Sequence, residues 1–207
     1  SQNRAKEKKV QMSNSRAVDV ASMSAARSAS KTAPPSKARD GFELISKTPI
    51  FWDKSVDLFQ DITYQTSSQD QCARIAFNRP QVLHAFRPQT IREIQQAVEL
   101  AVDDVTVGVI LLSSNIDEKE YTSAFCAGGD QTVRADDGGY QDGTESFPKL
   151  RVLDLQIQMR RCAKPIIAVV QGYAIGGGHI LHMVSDLTLA ADNAVFGQTG
   201  PRMGSFD

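Results

Sequence analysis

The sequence predicts an α/β fold that contains a parallel sheet, and three observations predict it. Two short, continuously apolar runs, residues 107–112 and 166–170, are typical of strands buried within a parallel sheet. Each run is followed, directly or after a loop, by a glycine-rich turn, at residues 124–131 and 172–179. Segments whose apolar residues recur at helical spacing alternate with the strand-like runs, as they do in α/β proteins.

A β-hairpin is the first predicted element, and we expect the folded domain to start near Asp61 and to extend to Asp207. Residues 62–65 and 73–77 are strand-like and enclose the polar turn 67–71. Two strand-like runs on either side of such a turn are the usual pattern of a hairpin.

Three helices are predicted after the hairpin. The first begins at Pro88, the second covers about 150–161, and the third begins near Gly178. Two further strands are predicted at 187–190 and 194–196. The apolar residues predicted to face the core are Ile91, Ile94, Val98, Ala101 and Val105 in the first helix, and Leu150, Leu153 and Ile157 in the second.

Residues 1–60 are predicted to form a disordered basic leader and linker. Residues 1–39 lack apolar periodicity and carry nine basic against two acidic side chains, a net charge of +7. The whole chain carries −1, so the remainder carries −8, which argues against nucleic acid as a partner of the folded part. A leader of this composition resembles an organelle transit segment, and a plain linker fits equally well. We expect a cytoplasmic protein, or one of the plastid or peroxisome in a eukaryote.

The cysteines and histidines give no sign of a metal site. Cys72, Cys126 and Cys162 show no C-x-x-C spacing and are predicted to be packing residues in a reducing compartment. His179 and His182 could suggest a metal pair, but no further ligands are apparent, so we expect them to pack in the core or against a helix. The longest apolar runs are far shorter than the roughly 20 residues that cross a bilayer, which predicts a soluble protein.

The two glycine turns are candidates for holding one oxygen anion. Glycine leaves the backbone N–H groups unshielded, and the helix-like segments after the turns favour negative charge at their N-termini. Preorganised N–H donors stabilise the oxyanions of acyl and enolate chemistry. Tight turns and close packing are the alternative use of such glycines. The polar stretch 134–149 is a candidate mobile loop beside such a site.

Residues 125–130 and 172–178 resemble the two oxyanion-hole segments of the crotonase (enoyl-CoA hydratase/isomerase) superfamily. The resemblance extends from about Asp61 to Asp207. It implies a crotonase-like spiral of ββα units in which the N–H groups of Gly129 and Gly177 hold the thioester oxygen of a coenzyme A substrate.

The resemblance also bears on the reaction. Hydratases of the superfamily place two glutamates over the substrate, and Ile180 and Gly200 stand at those positions here, which disfavours hydration. Five segments instead resemble the 1,4-dihydroxy-2-naphthoyl-CoA synthases, a family within the superfamily; they are residues 84–88, 127–131, 138–140, 178–182 and 196–207. This implies a lyase of menaquinone or phylloquinone biosynthesis that closes a ring by an intramolecular Claisen condensation.

The resemblance assigns roles to individual residues. It makes Gly129, Gly177, Tyr140, Ser205 and Asp207 catalytic. Hydrogencarbonate is expected to act as the base beside Gln198, Thr199 and Gly200, and no metal is expected. The implied substrate-binding residues are Arg87, Ala127, Gly128, Gly129, Asp130, Gln131, Tyr140, Tyr173, Ala174, Ile175, Gly176, Gly177, Thr199 and Ser205.

Family members continue beyond the position of Asp207 with helices that carry trimer contacts. The resemblance therefore implies that the chain is truncated at its C-terminus, that the isolated chain is inactive or unstable, and that the full-length protein is a trimer or hexamer. Two alternatives stay open. One is another CoA-thioester isomerase or hydrolase of the superfamily, and the other is a truncated, non-catalytic scaffold.

Overall fold

The computed structural model of the 207-residue chain describes residues 49–116, 123–134, 139–140 and 150–203, without the side chains of 202 and 203. Its strands are β1 (Lys54–Val56), β2 (Ile62–Ser67), β3 (Cys72–Phe77), β4 (Val109–Ser114), β5 (Ala124–Cys126), β6 (Ile166–Val170), β7 (Tyr173–Ile175), β8 (Leu187–Ala190) and β9 (Val195–Gly197). Its helices are α1 (Pro88–Asp103), α2 (Val152–Arg160), α3 (Gly177–Val184) and the short α4 (Gly200–Met203). None of the helices in the described part of the chain has the length and apolar character needed to span a membrane.

The strands form two sheets. The larger has the order β1-β2-β3-β4-β6-β8, antiparallel from β1 to β3 and parallel from β3 onward. The smaller is the parallel sheet β5-β7-β9. The α/β class and the hairpin of β2 and β3 are thereby confirmed.

The core lies between one face of the larger sheet and the helices. Ile110, Leu112, Ile166 and Ala168 are buried, whereas the side chains between them in β4 and β6 are only half-buried. Alternation of this kind follows from the pleat of the strands, which sends successive side chains to opposite faces. The apolar face of α1 closes the core from the other side, through Ile91, Ile94, Ala97, Val98 and Ala101.

Several boundaries differ from those predicted, and three of the differences change the interpretation. The sheet starts at Lys54 and therefore before Asp61, because β1, which lies in the predicted linker, pairs with β2. β4 covers Val109–Ser114 instead of 107–112. Val105 lies beyond the end of α1 and is 97% exposed, so its assignment to the core face was wrong.

The inward face of α2 was also predicted incorrectly. Leu155 and Met159 are buried, whereas Leu153 is 63% and Ile157 is 41% exposed. Apolar residues occur on two stripes of this helix, and both stripes satisfy helical spacing. Packing against the rest of the fold selects the stripe that contains Leu155.

Candidate active site

A cavity of about 660 Å³ lies where the two glycine turns meet. Its wall contains Phe86, side chains of α2 and Ile180 of α3, together with the polar residues Arg134 and Gln156. Nine of the residues predicted from the sequence also line it: Ala127, Gly128, Gly129, Gln131, Tyr140, Ile175, Gly176, Gly177 and Thr199.

The first glycine turn follows β5 and is held by the chain segment before α1. The N–H of Phe86 donates to the carbonyl of Gly128 (2.8 Å), and the N–H of Asp130 donates to the carbonyl of Phe86 (2.9 Å). Gly128 has φ = +89°, a left-handed conformation that glycine adopts without strain. The main chain on both sides of Gly129 is therefore fixed to Phe86.

The second glycine turn lies against the first. A β-carbon on Gly128 would lie 3.0 Å from the carbonyl oxygen of Ile175 and 3.3 Å from the nitrogen of Gly177. Gly176 has φ = +54°, and its N–H donates to the carbonyl of Gly197 in β9 (2.8 Å). A β-carbon on Gly178 would collide with the carbonyl of Cys126, so this glycine lets α3 pack closely against β5.

Two backbone N–H groups are candidate donors to a ligand in the cavity. Gly129 and Gly177 both line the cavity, and within the described part of the chain no hydrogen bond uses the N–H of either residue. Gly177 is the first residue of α3, where N–H groups have no partner inside the helix and the helix dipole favours negative charge. The arrangement can donate hydrogen bonds to an oxygen anion at the junction of the two turns.

Asp130 was predicted to bind substrate, but the structure places it outside the cavity wall in a buried ion pair. Its carboxylate accepts from the guanidinium of Arg79 (2.9 Å) and from the N–H (3.0 Å) and hydroxyl (2.7 Å) of Thr132. Burial opposes ionisation of Asp130, but these hydrogen bonds outweigh it and lower the pKa of the carboxyl. The side chain of Asp130 therefore anchors the main chain directly after Gly129.

Arg87 was predicted to bind substrate and is likewise found in an ion pair. Its guanidinium donates to both carboxylate oxygens of Asp61, at 2.7 and 2.8 Å, and the hydroxyl of Thr90 donates to the same group at 2.6 Å. Burial of Asp61 favours its neutral form, but these bonds prevail and lower its pKa. Arg87 does not line the cavity.

Tyr140 lies over the first glycine turn. A β-carbon on Gly129 would collide with the hydroxyl of Tyr140. The amide of Gln131 donates to the carbonyl of Gly129 (2.9 Å) and approaches the hydroxyl of Tyr140 (3.5 Å), while Arg134 donates to the amide oxygen of Gln131 (3.2 Å). Sequence reasoning missed Arg134; its signal was a cationic side chain at the first position of the polar stretch 134–149.

The remaining predicted site residues fall into two groups. Tyr173 and Ala174 belong to β7, and Gln198 and Gly200 flank Thr199, but none of these four lines the cavity. Thr199 lies close to the second glycine turn, since a β-carbon added to Gly176 would be 3.2 Å from the hydroxyl oxygen of Thr199. Ser205, Asp207 and most of the stretch 134–149 lie outside the described residues.

The described part of the cavity wall contributes no carboxylate and no group of metal ligands. Among the described residues that line the cavity none is acidic, and the described side chains contain no cluster of metal ligands. His179 and His182 hydrogen-bond to each other (2.8 Å), pack against Phe196 and lie outside the cavity wall. Both side chains are half-buried, and the packing that the structure shows is with each other and with β9.

The two sheets, and the glycine turns that meet at one cavity, match the arrangement that the resemblance to the crotonase superfamily implies. The sequence model of the enoyl-CoA hydratase/isomerase family matches residues 67–207. The chain belongs to this family, and its crotonase-like fold is thereby confirmed.

Solved structures agree with this assignment. The chain is 33% identical to a probable enoyl-CoA hydratase from Mycobacterium smegmatis, with a TM-score of 0.54, over 68% of this chain and 53% of that protein. It is 28% identical to an enoyl-CoA hydratase/isomerase from Xanthobacter autotrophicus Py2, with a TM-score of 0.59, over 70% and 51%. A putative enoyl-CoA hydratase/isomerase (crotonase) from Legionella pneumophila shares 26% identity, with a TM-score of 0.57, over 70% and 53%. The chain thus spans about half the length of these proteins.

Proposed function

We propose that the protein acts as a 1,4-dihydroxy-2-naphthoyl-CoA synthase, a lyase that converts 2-succinylbenzoyl-CoA by intramolecular Claisen condensation. One observation carries the proposal: the cavity at the paired glycine turns contains no acidic side chain among its described residues. Hydration of an enoyl-CoA requires groups that exchange protons with water. Ile180 lines this wall instead, and its side chain cannot exchange a proton.

The proposed reaction begins with loss of the proton α to the thioester carbonyl. The N–H groups of Gly129 and Gly177 donate to the thioester oxygen and stabilise the enolate as its charge develops. The α-carbon then attacks the aryl carboxyl group, a carbon–carbon bond forms, and the carboxyl oxygen leaves as water. The thioester remains intact, and enolisation of the two ring ketones, in which one proton leaves each of the two ring carbons between them and one proton is gained by each ketone oxygen, gives the aromatic dihydroxynaphthoyl product.

A base must come from outside the described cavity wall, and hydrogencarbonate suits the residues present. Gln198, Thr199 and Gly200 would hold it through a side-chain amide, a hydroxyl and backbone N–H groups. The hydroxyl of Thr199 lies against Gly176 in the cavity wall, and no described carboxylate of the wall would repel an anion there. When bound, hydrogencarbonate supplies the group that accepts the α-proton.

Three further residues complete the proposal. Tyr140, whose hydroxyl lies over Gly129, would cover the reacting end of the substrate. Ser205 and Asp207 would bind and protonate the aryl carboxylate, an assignment that rests on their sequence motif. Assembly of the full-length protein into a trimer or hexamer is proposed from the resemblance to the family.

Turnover of 2-succinylbenzoyl-CoA by the full-length protein, with and without hydrogencarbonate, tests this function. We expect formation of 1,4-dihydroxy-2-naphthoyl-CoA that depends on hydrogencarbonate. Turnover of a trans-2-enoyl-CoA or hydrolysis of a saturated acyl-CoA, with no ring closure, would instead support another enzyme of the family. Lack of turnover and of CoA-thioester binding would support a non-catalytic scaffold.

A further inference from the structure

We propose that Phe86 is a positioning residue that sets the separation between the two oxyanion donors. This inference rests on the proposed use of the Gly129 and Gly177 N–H groups as one oxyanion hole. Phe86 belongs to neither glycine turn, yet it contacts both of them and is only 1% exposed. Its main chain and its side chain have separate tasks.

The main chain of Phe86 fixes the first donor. Its N–H and carbonyl bond to Gly128 and Asp130, the two neighbours of Gly129, so Phe86 and Gly129 form a parallel bridge. This pairing leaves the N–H of Gly129 without an acceptor among the described residues, as a donor to substrate requires.

The ring of Phe86 contacts the second donor. A β-carbon on Gly177 would lie 2.5 Å from Cζ and 3.0 Å from Cε1 of the ring. The ring edge therefore packs directly on the Cα of Gly177, and the absence of a side chain at residue 177 permits the contact. Because the ring and the main chain belong to one residue, movement of either glycine turn relative to the other must displace Phe86.

The segment that precedes Phe86 is itself held firmly. Leu83 and His84 have φ = +53° and +56°, and His84 is buried. The Nδ1 atom of His84 accepts from the N–H of Arg79 (3.1 Å), so its Nε2 carries the proton that is donated to the carbonyl of Asn115 (2.9 Å). Burial lowers the pKa of His84 and keeps this neutral tautomer. The ring of Phe86 thus projects from a fixed support.

Substitution of Phe86 separates the two tasks, since the backbone bonds to the first turn survive, whereas the contacts of the ring with Gly177 and with the hydrophobic core are lost. A misplacement of about 1 Å in an active site can reduce the rate about 100-fold. We therefore expect Phe86 substitutions to weaken recognition of the thioester oxygen specifically, while the rest of the CoA ligand binds as before.

The experiment compares the affinities of two matched ligands in the full-length protein. Acetoacetyl-CoA offers a thioester oxygen and forms an enolate that is visible by ultraviolet absorption, whereas S-(3-oxobutyl)-CoA has a methylene group in place of the thioester carbonyl. The variants are Phe86→Leu and Phe86→Ala. Phe77→Leu is the control, because Phe77 is also 1% exposed, packs edge-on against Phe125 and does not line the cavity.

We expect Phe86→Leu to reduce the preference for acetoacetyl-CoA about tenfold and Phe86→Ala to reduce it up to about 100-fold, with a weaker enolate band and an unchanged affinity for the thioether. Retention of the wild-type preference in Phe86→Leu would overturn the inference, as would an equal loss in Phe77→Leu. Absence of any thioester preference in the wild-type protein would overturn it together with the oxyanion hole. A wild-type protein that prefers the thioester but does not cyclise 2-succinylbenzoyl-CoA would refute only the proposed reaction.

Discussion

Replacing Arg79 with methionine should lower the free energy of unfolding by about 3–5 kcal/mol, the usual cost of leaving a buried charge without its partner. The side chain of Arg79 is 12% exposed and lies between the carboxylates of Asp130, at 2.9 Å, and Asp61, at 3.8 Å. Asp61 keeps its bonds to Arg87, so the cost falls mainly on Asp130. Asp130→Asn should cost less, about 1–3 kcal/mol, because the amide oxygen can still accept from Thr132.

Urea unfolding of the two single variants and of the double variant, followed by circular dichroism, measures the coupling between these side chains. The double variant should be more stable than the sum of the single losses predicts, by about 0.5–3 kcal/mol. Additive losses would show that the contact between Arg79 and Asp130 stabilises nothing, and would contradict the role given to Asp130 as the anchor of the first glycine turn.

The free energy of unfolding should also depend on pH, through the carboxyl groups of Asp61 and Asp130. The pKa values of Asp61 and Asp130 are lower in the folded protein than in the unfolded chain, so the unfolded chain binds more protons in acid. The resulting stabilisation is present above about pH 3.9, the ordinary pKa of an aspartate, and is lost as the pH falls through the folded-state values. The acid loss of stability should be smaller in Asp130→Asn, and an identical acid profile would refute the argument.

Three further predictions concern the cavity and the cysteines. Gly177→Pro removes one oxyanion donor and also places a β-carbon against the ring of Phe86, so it should reduce kcat at least about 100-fold in a turnover assay; wild-type turnover would show that this N–H is not used. Gly200→Asp supplies a carboxylate near the proposed base site and should weaken the dependence of turnover on added hydrogencarbonate, whereas unchanged dependence would count against that site. Burial raises the pKa of Cys126 to about 12, so iodoacetamide should alkylate the partly exposed Cys162 first in the native protein, as mass spectrometry can determine; equal rates would contradict the burial of Cys126.

Local patterns were sufficient to predict much of the fold. β6 occupies the predicted residues 166–170, and the hairpin of β2 and β3 forms around the predicted turn, because turn residues and apolar runs specify both locally. The face of α2 could not be predicted, since Leu153 and Leu155 lie on two competing apolar stripes. Only contacts with distant parts of the chain choose between such stripes.

The candidate site, like the fold, could be predicted from the sequence only in part. The glycines of both turns were found from their motifs and line one cavity. Asp130 belongs to the first of these motifs and Arg87 to the resembling segment 84–88, but they form ion pairs with Arg79 and Asp61, which lie 51 and 26 residues away in the sequence. Phe86 carries no polar group, so nothing in the sequence marks its contact with Gly177. Partners brought together by the fold are invisible to a search for motifs.

The central claim is that two backbone N–H groups polarise one thioester oxygen, and the infrared stretch of that carbonyl measures it directly. Butyryl-CoA labelled with ¹³C at the thioester carbonyl can be bound to the full-length wild-type protein and to Gly177→Pro. We predict that the carbonyl frequency falls when the wild-type protein binds the ligand and falls less in the variant. A bound carbonyl that absorbs at the frequency of the free ligand would contradict the oxyanion hole.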